Sequence, residues 1–348
     1  MSDGSVQLSI VVPTHHRKDD LLRLLASVNH QKIDRSLFEV VVVSNEVDSD
    51  LRQCLGESKE LNFQIRYFEV GSIGVNLARN LGLDKARGSI VYFLDDDCVL
   101  LDARTLLTIL ELHNSFPEVG AFGGKYVIDE SAGFLDLVYQ WIQDLWMESG
   151  FLKDQQTCFL IGGNTSYNRK VLGENLFFDE SIIYGGSETE LNLRLVKQGY
   201  ILQYSDELQV LHQARNSFWG LFGKAFKQGR SAQNRREQAL LPPKNRRRTM
   251  SRELIAFKLV PGLSFLERVC FFWILSLFDH FFKKGLELQE RQPDFEFSKK
   301  EMFKIFLSAP HIFWIKSLFK LYIFEQTSAL KQGHQNASFR KLKKDLET

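Results

Sequence analysis

Three uninterrupted apolar runs, rich in β-branched residues, constrain the first hundred residues more than any other feature. Residues 8–12 read LSIVV and are closed by Pro13, residues 39–43 read EVVVV, and residues 89–94 read SIVYFL. Runs of this kind leave no polar face, as expected of strands buried on both sides of a parallel sheet. A more polar run, IRYFEV at 65–70, supplies one more short strand. Between them, residues 19–28 space leucines at helical intervals, and residues 78–86 are helix-compatible with Gly88 as a stop. The order β-α-β-α-β-α-β predicts an α/β fold: an open, mostly parallel sheet with helices on both faces. Its ligand crevice lies beyond the carboxyl ends of the strands. Polar loops directly follow three strands, at 14–18, 44–50 and 95–97.

A chain of 348 residues is long enough for about two domains. Hydrophobic residues at 44% and charged residues at 25% exclude wholesale disorder and a polytopic membrane protein. Charge divides the chain. Residues 1–210 hold 18 Lys and Arg against 31 Asp and Glu, whereas residues 211–348 hold 26 against 12. Phenylalanine divides the same way, with 18 of 29 after residue 210. Cys54, Cys98, Cys158 and Cys270 are widely spaced and form no C-x-x-C pair, so a reducing compartment is expected. Residues 1–8 lack the basic and apolar regions of a secretion leader. The longest apolar run of the basic part, residues 269–278, is half the roughly 20 residues that a spanning helix needs.

The sharpest chemical feature is Asp95-Asp96-Asp97 at the end of an apolar strand. Three carboxylates so close repel one another, and a hard divalent cation relieves them; a solvated acidic turn or a helix N-cap is the plainer alternative. Downstream, residues 120–212 are mixed, with a break at Gly123-Gly124, an aromatic stretch at 134–146 and a loop at 178–186. Residues 187–198 read as a helix with Leu191, Leu195 and Val196 on one side, stopped by Gly199.

Six pieces then stand in a recognisable order: SIVVPTHHR at 9–17, GVNLARNLG at 74–82, VYFLDDD at 91–97, IGGNTSYNR at 161–169, GGSETELNLRL at 185–195 and VLH at 210–212. Over residues 7–212 the chain resembles the family 2 inverting glycosyltransferases. That resemblance implies a GT-A, Rossmann-like fold, with a nucleotide-binding half at 1–119 and an acceptor half at 120–212. It further implies that Asp95 and Asp97 form the DXD pair, and that Asp97, Asp95 and His212 surround Mn²⁺ or Mg²⁺ bridging the donor's diphosphate. Pro13, Thr14, Arg17, Arg79 and Asp96 would line the donor site. The implied reaction passes a sugar from a nucleotide-diphospho-sugar to a saccharide or lipid-linked saccharide, as in surface-polysaccharide assembly.

Two positions depart from the family pattern. Where many members carry V-D-N-G-S, with an aspartate pairing to uracil, this chain reads Val43-Ser44-Asn45-Glu46. Asn45 or Glu46 would read the base instead, and the nucleotide stays open. In the family's E-D motif Ser187 replaces the first acid and Glu188 remains as the general base. A carboxylate opposite the leaving diphosphate suits an inverting displacement, and Glu190 is the fallback. The alternative reading of Glu188 is an ordinary first-turn acid. Trp141, Trp146 and Tyr184 are candidate acceptor-stacking rings, with core packing as their alternative. Asn164, after two glycines, is a candidate donor-sugar contact, with a plain turn as its alternative. His15, His16, His30 and His113 form no H-x-x-x-H set, so a catalytic zinc is not expected.

The remainder, 213–348, reads as mainly helical, basic and Phe-rich. Arg230, Arg235, Arg236, Lys244, Arg246, Arg247, Arg248 and Arg252 crowd one segment, and Phe, Trp, Leu and Ile recur through 265–282 and 302–324. Basic amphipathic segments too short to span lie in a bilayer interface, so docking on the anionic inner face of a membrane is one expectation. Packing on the catalytic core or in a homo-oligomer is the other. Nucleic acid is a weak third, because no recognised module is present. Two rival functions are a catalytically silent scaffold on the same fold and a sugar nucleotidyltransferase, whose glycine-rich basic first loop this chain lacks.

Overall fold

The computed structural model describes residues 6–58, 60–129, 132–173, 177–182, 185–213, 215–243, 265–291 and 298–309. Tyr184, the basic run from 244 to 252 and the aromatic residues beyond 309 lie outside them.

In chain order the elements are β1 (Leu8–Thr14), α1 (Lys18–Asn29), β2 (Phe38–Ser44), α2 (Ser49–Glu57), β3 (Gln64–Glu69), α3 (Val75–Lys85), β4 (Ile90–Leu94), β5 (Cys98–Leu100) and α4 (Thr105–Ser115). There follow β6 (Val119–Val127), α5 (Phe134–Glu148), β7 (Asn164–Asn168), α6 (Arg169–Leu172), α7 (Ser187–Lys197) and β8 (Ile201–His212). The helices α8 (Phe218–Glu237), α9 (Phe265–Arg291) and α10 (Lys299–Ser308) complete the described chain.

Successive residues of a strand face opposite ways, and here both sides are buried. Ile10, Val12, Val40, Val42, Tyr92 and Leu94 join Leu21, Leu24, Leu25 and Val28 of α1 in one cluster. Val11, Val41, Val43, Val91 and Phe93 meet Ala78 of α3 and Leu191 and Leu195 of α7 in another. Helix α3 rides directly on β1, where a Cβ added at Gly82 would stand 2.3 Å from Val11 Cγ1. The result is a sheet between helical layers, with the cores on its two faces.

The eight strands run in the order β3-β2-β1-β4-β7-β6-β8-β5. The first four are mutually parallel. β7 is antiparallel to β4 and β6, β8 is parallel to β6, and β5 is antiparallel to β8. The parallel expectation therefore describes the first half of the sheet, and the whole sheet is mixed. Strand register brings two loops together: Thr14 pairs with Ser44, and Ser44 with Glu69, so the loops after β1 and β2 leave side by side.

Helices α8 and α9 pack backbone to backbone through reciprocal glycines. A Cβ at Gly229 would lie 2.1 Å from Phe282 O, and one at Gly285 would lie 2.1 Å from Phe226 O. Around that contact Leu221, Phe222 and Phe226 of α8 bury Ile274, Leu277, Phe278 and Phe281 of α9, with Phe222 and Phe281 stacked at 5.1 Å. Phe271 of α9 receives the ring edges of Phe134 and Trp141 from α5. Phe222, Phe226, Phe271, Phe278 and Phe281 thus pack against helices of the chain itself, whereas Phe303 is 52% exposed. Among the described residues, no helix is long and apolar enough to cross a membrane.

Candidate active site

The acidic triplet leaves β4 beside the end of β1, and the chain surrounds it with cations. Thr14 Oγ1 donates to Asp96 Oδ2 at 2.8 Å. Arg17 Nη1 donates to Asp96 Oδ1 at 3.1 Å and to Asp97 Oδ2 at 2.7 Å. Arg79 Nη2, from α3, donates to Asp95 Oδ1 at 3.1 Å, and Tyr126 O–H, from β6, donates to Asp95 Oδ2 at 2.8 Å. His212, the last residue of β8, places Nε2 3.4 Å from Asp97 Oδ1 and stacks on Tyr126 at 4.3 Å. Four separate segments therefore meet at three consecutive side chains.

Burial sets the electrostatics. Desolvation pushes the Asp96 carboxyl up to about 6 against the pull of Arg17. The Asp97 carboxyl is also pushed up by burial, but the adjacent His212 imidazole and the Arg17 guanidinium outweigh this and hold it below the ordinary aspartate value. Burial weakens the charged form of the Arg79 guanidinium, yet Asp95 and Glu188 more than restore it.

These pairings correct one expectation. Carboxylate repulsion alone does not require a divalent ion, because Arg17 and Arg79 already neutralise much of the triplet. What suits a metal is narrower. Asp97 Oδ1 and His212 Nδ1 are buried without a hydrogen-bond partner, and the Asp97 oxygen and His212 Nε2 form an adjacent O,N donor pair.

Arg79 also ties the triplet to the first turn of α7. Its Nη1 lies 3.5 Å from Ser187 Oγ, and Ser187 Oγ donates to Glu188 Oε2 at 3.3 Å. Glu188 faces a cavity of about 240 Å³ between the sheet domain and the C-terminal helices, lined in part by Tyr139, Trp146, Phe272, Arg235 and Asp279. Arg235, from α8, donates to Gly186 O at 3.2 Å; Gly186 has φ +84°, and a Cβ there would meet the Arg235 guanidinium at 2.4 Å. Glu190 is buried and paired with Arg194 at 2.9 Å, so its charge is already engaged.

The other candidates fall into place around this centre. Pro13 is buried within β1, beside Thr14. Asn45 donates its N–H to Thr14 O and accepts from Gly74 N at 3.3 Å, linking the loops after β1 and β2 to α3. Glu46 pairs with His16 at 3.1 Å. Two candidates are corrected. Asn164 is fully buried, with its amide shared among Tyr92, Leu208 and Lys125, so here it braces the sheet below the crevice rather than lining it. Trp141 turns its ring toward Phe271 in the helical cluster rather than toward the cavity. Trp146 lines the cavity and stacks on Phe159 at 4.8 Å.

Sequence reasoning missed Tyr126 and Arg235, whose roles depend on sheet order and on the docking of α8. The close approach expected at the glycines after Ile161 is real, but its partner is Asp95: a Cβ at Gly163 would overlap that carboxylate at 2.1 Å.

Residues 9–176 match the model of glycosyl transferase family 2. A hyaluronan synthase of Pasteurella multocida is 27% identical over 242 residues, 60% of this chain and 24% of that protein. A GalNAc(5)-diNAcBac-PP-undecaprenol beta-1,3-glucosyltransferase of Campylobacter jejuni is 32% identical over 201 residues, 55% of this chain and 60% of that protein. The match thus spans less than two thirds of the length of each relative. Among solved structures, the mannosyltransferase PcManGT from Pyrobaculum calidifontis, in complex with GDP-Man and Mn²⁺, gives a TM-score of 0.55 at 16% identity over 92% of this chain and 86% of that one. The likeness is one of fold, and the fold is GT-A. Residues 9–176, which hold Thr14, Arg17, Arg79 and the acidic triplet, are thus similar in sequence to glycosyl transferase family 2.

Proposed function

We propose that the chain transfers a sugar from a nucleotide-diphospho-sugar to a saccharide acceptor, with inversion, and that Glu188 is the general base. One observation carries this reading: the buried guanidinium of Arg79 contacts Asp95 on one side and the Glu188-bearing turn of α7 on the other. Diphosphate chemistry and proton abstraction are thereby set at adjacent places. The cavity at Glu188, with aromatic walls and charged groups, has room for about one sugar ring.

In the proposed reaction the acceptor hydroxyl enters this cavity, with Tyr139 and Trp146 offering faces to a sugar and Arg235 and Asp279 offering polar partners. Its oxygen attacks the anomeric carbon as the carbon–oxygen bond to the diphosphate breaks. The bonding pair leaves with the diphosphate, and the hydroxyl proton passes to the Glu188 carboxylate. Asp97 and His212 would hold a divalent ion such as Mn²⁺ or Mg²⁺, which when bound would supply Lewis-acid stabilisation of the departing charge. Arg17 and Arg79 hold the triplet in place and add positive potential at the leaving group. One displacement at carbon inverts the centre.

The test measures nucleoside diphosphate released from UDP-, GDP- and dTDP-sugars with Mn²⁺. Turnover is expected on one donor class and should be lost in Asp97→Ala. In Glu188→Gln, donor binding persists while transfer falls by about 10²-fold or more. No turnover on any donor would reduce the chain to a scaffold, equal turnover in the Asp97 variant would remove Asp97 from the metal site, and unchanged transfer in the Glu188 variant would move the base elsewhere.

A further inference from the structure

A second cluster of metal-ligating side chains lies on the same edge of the sheet and plays no part in the reaction above. We infer that His15, His16 and Glu46 form a binding site for a borderline divalent transition ion, zinc being the representative. The three residues each offer a ligand atom, and these atoms all lie within 4.8 Å of one another. His16 Nε2 is 3.1 Å and His15 Nε2 is 3.8 Å from Glu46 Oε2. Zinc bonds of about 2.0–2.2 Å to nitrogen and oxygen place tetrahedral ligands about 3.4 Å apart. The observed separations therefore bracket the span that zinc requires, and half-exposed side chains can close the rest.

Two independent features show that the cluster is built into the backbone. Consecutive residues of an extended chain point to opposite sides, so adjacent histidines do not normally share a ligand. Here His16 adopts φ +54°, a left-handed conformation uncommon for a side-chain-bearing residue, and this turns both imidazoles to one side with centroids 4.4 Å apart. The parallel pairing of Thr14 with Ser44 then sets Glu46 opposite them on the neighbouring strand's loop. The second feature is that His15 Nε2 is buried without a hydrogen-bond partner, a lone-pair or N–H position that the chain itself leaves unsatisfied.

Donor chemistry separates this site from the triplet. Two imidazoles and one carboxylate select zinc, copper or nickel over magnesium and manganese, whereas the Asp97 side favours hard cations. Three protein ligands leave one position open. Bound metal would also fix the loop that carries Arg17, the residue next to His16, at the triplet.

The experiment uses the tag-free full chain stripped with a chelator, titrated calorimetrically with Zn²⁺ alone and, separately, with Co²⁺ while its visible ligand-field bands are followed. One equivalent of zinc should bind with a micromolar or tighter dissociation constant, and excess Mg²⁺ should not displace it. His15→Gln/His16→Gln and Glu46→Gln should each weaken binding by about 100-fold. Asp97→Asn and Cys270→Ser should leave it unchanged. His16→Gly serves as the folding control, because glycine accepts the observed φ without strain; it should unfold no earlier than the parent and still lose the site. Wild-type zinc affinity in His16→Gly or in the double glutamine variant would overturn the inference, as would zinc binding abolished by Asp97→Asn alone.

Discussion

The contact between Arg79 and Asp95 can be tested as a thermodynamic pair. At 3.1 Å, with an effective dielectric constant of about 20, their attraction is about 5 kcal/mol before desolvation. The Arg79 side chain is 8% exposed and that of Asp95 is 29% exposed, so the guanidinium bears most of the burial cost. Replacing Arg79 with Met keeps the bulk over Phe178 but leaves Asp95 with Tyr126 as its hydrogen-bond donor. Breaking a buried pair from one side costs about 3–5 kcal/mol, and the partial exposure of Asp95 places Arg79→Met near 3. Asp95→Asn strands the buried cation at a similar cost. The double variant removes both charges together, and should be about 2 kcal/mol more stable than the sum of the single effects predicts. Urea unfolding followed by circular dichroism, with matching slopes for all four chains, measures this directly. Additivity within about 0.5 kcal/mol would refute the claim that this ion pair organises the site.

Three further outcomes rest on specific contacts. Gly163→Ala forces a methyl group into the Asp95 carboxylate and Tyr126 hydroxyl, and should lower stability by about 1–3 kcal/mol and weaken nucleotide binding in calorimetry, whereas Gly71→Ala meets no atom within 4 Å. His113 is buried against Phe122, and burial lowers its imidazole from 6.5 to about 4. Below the unfolded value the unfolded chain takes up a proton that the folded chain refuses, so stability should fall by about 3 kcal/mol as pH drops from 6.5 towards 4. His113→Leu should flatten that slope in thermal unfolding. Gly285→Val, at the backbone contact of α8 and α9, should separate the two helices and lower the unfolding midpoint more than the exposed change Gly56→Val.

How much the sequence discloses depends on where each residue's partners come from. Strands β1, β2 and β4 are legible because burial on both faces leaves a continuous apolar run. Strand β7, NTSYN, is equally buried but polar. Its side chains are satisfied by tertiary partners: Asn164 by Tyr92, Ser166 by His113 and Tyr167 by Asn192. No local period announces such a strand. The triplet and Glu188 stand out as motifs, whereas Tyr126 and Arg235 reach them only through strand order and helix docking. Trp141 and Trp146 share one helix and one composition; the packing of α9 sends the first into a core and leaves the second at the cavity. The pairing of His15 with His16 is hidden in the sequence because it depends on a left-handed residue, not on helical spacing.

The central claim is that the triplet and Glu188 are two sides of a single donor site. A crystal of the full chain grown with Mn²⁺ and the nucleoside diphosphate that binds it would test this most directly, with manganese located by anomalous scattering. The metal is expected beside Asp97 and His212, and the diphosphate between them and Arg79, with its open end toward Glu188. Metal and diphosphate bound away from those residues, or a nucleotide whose diphosphate points away from Glu188, would contradict the claim.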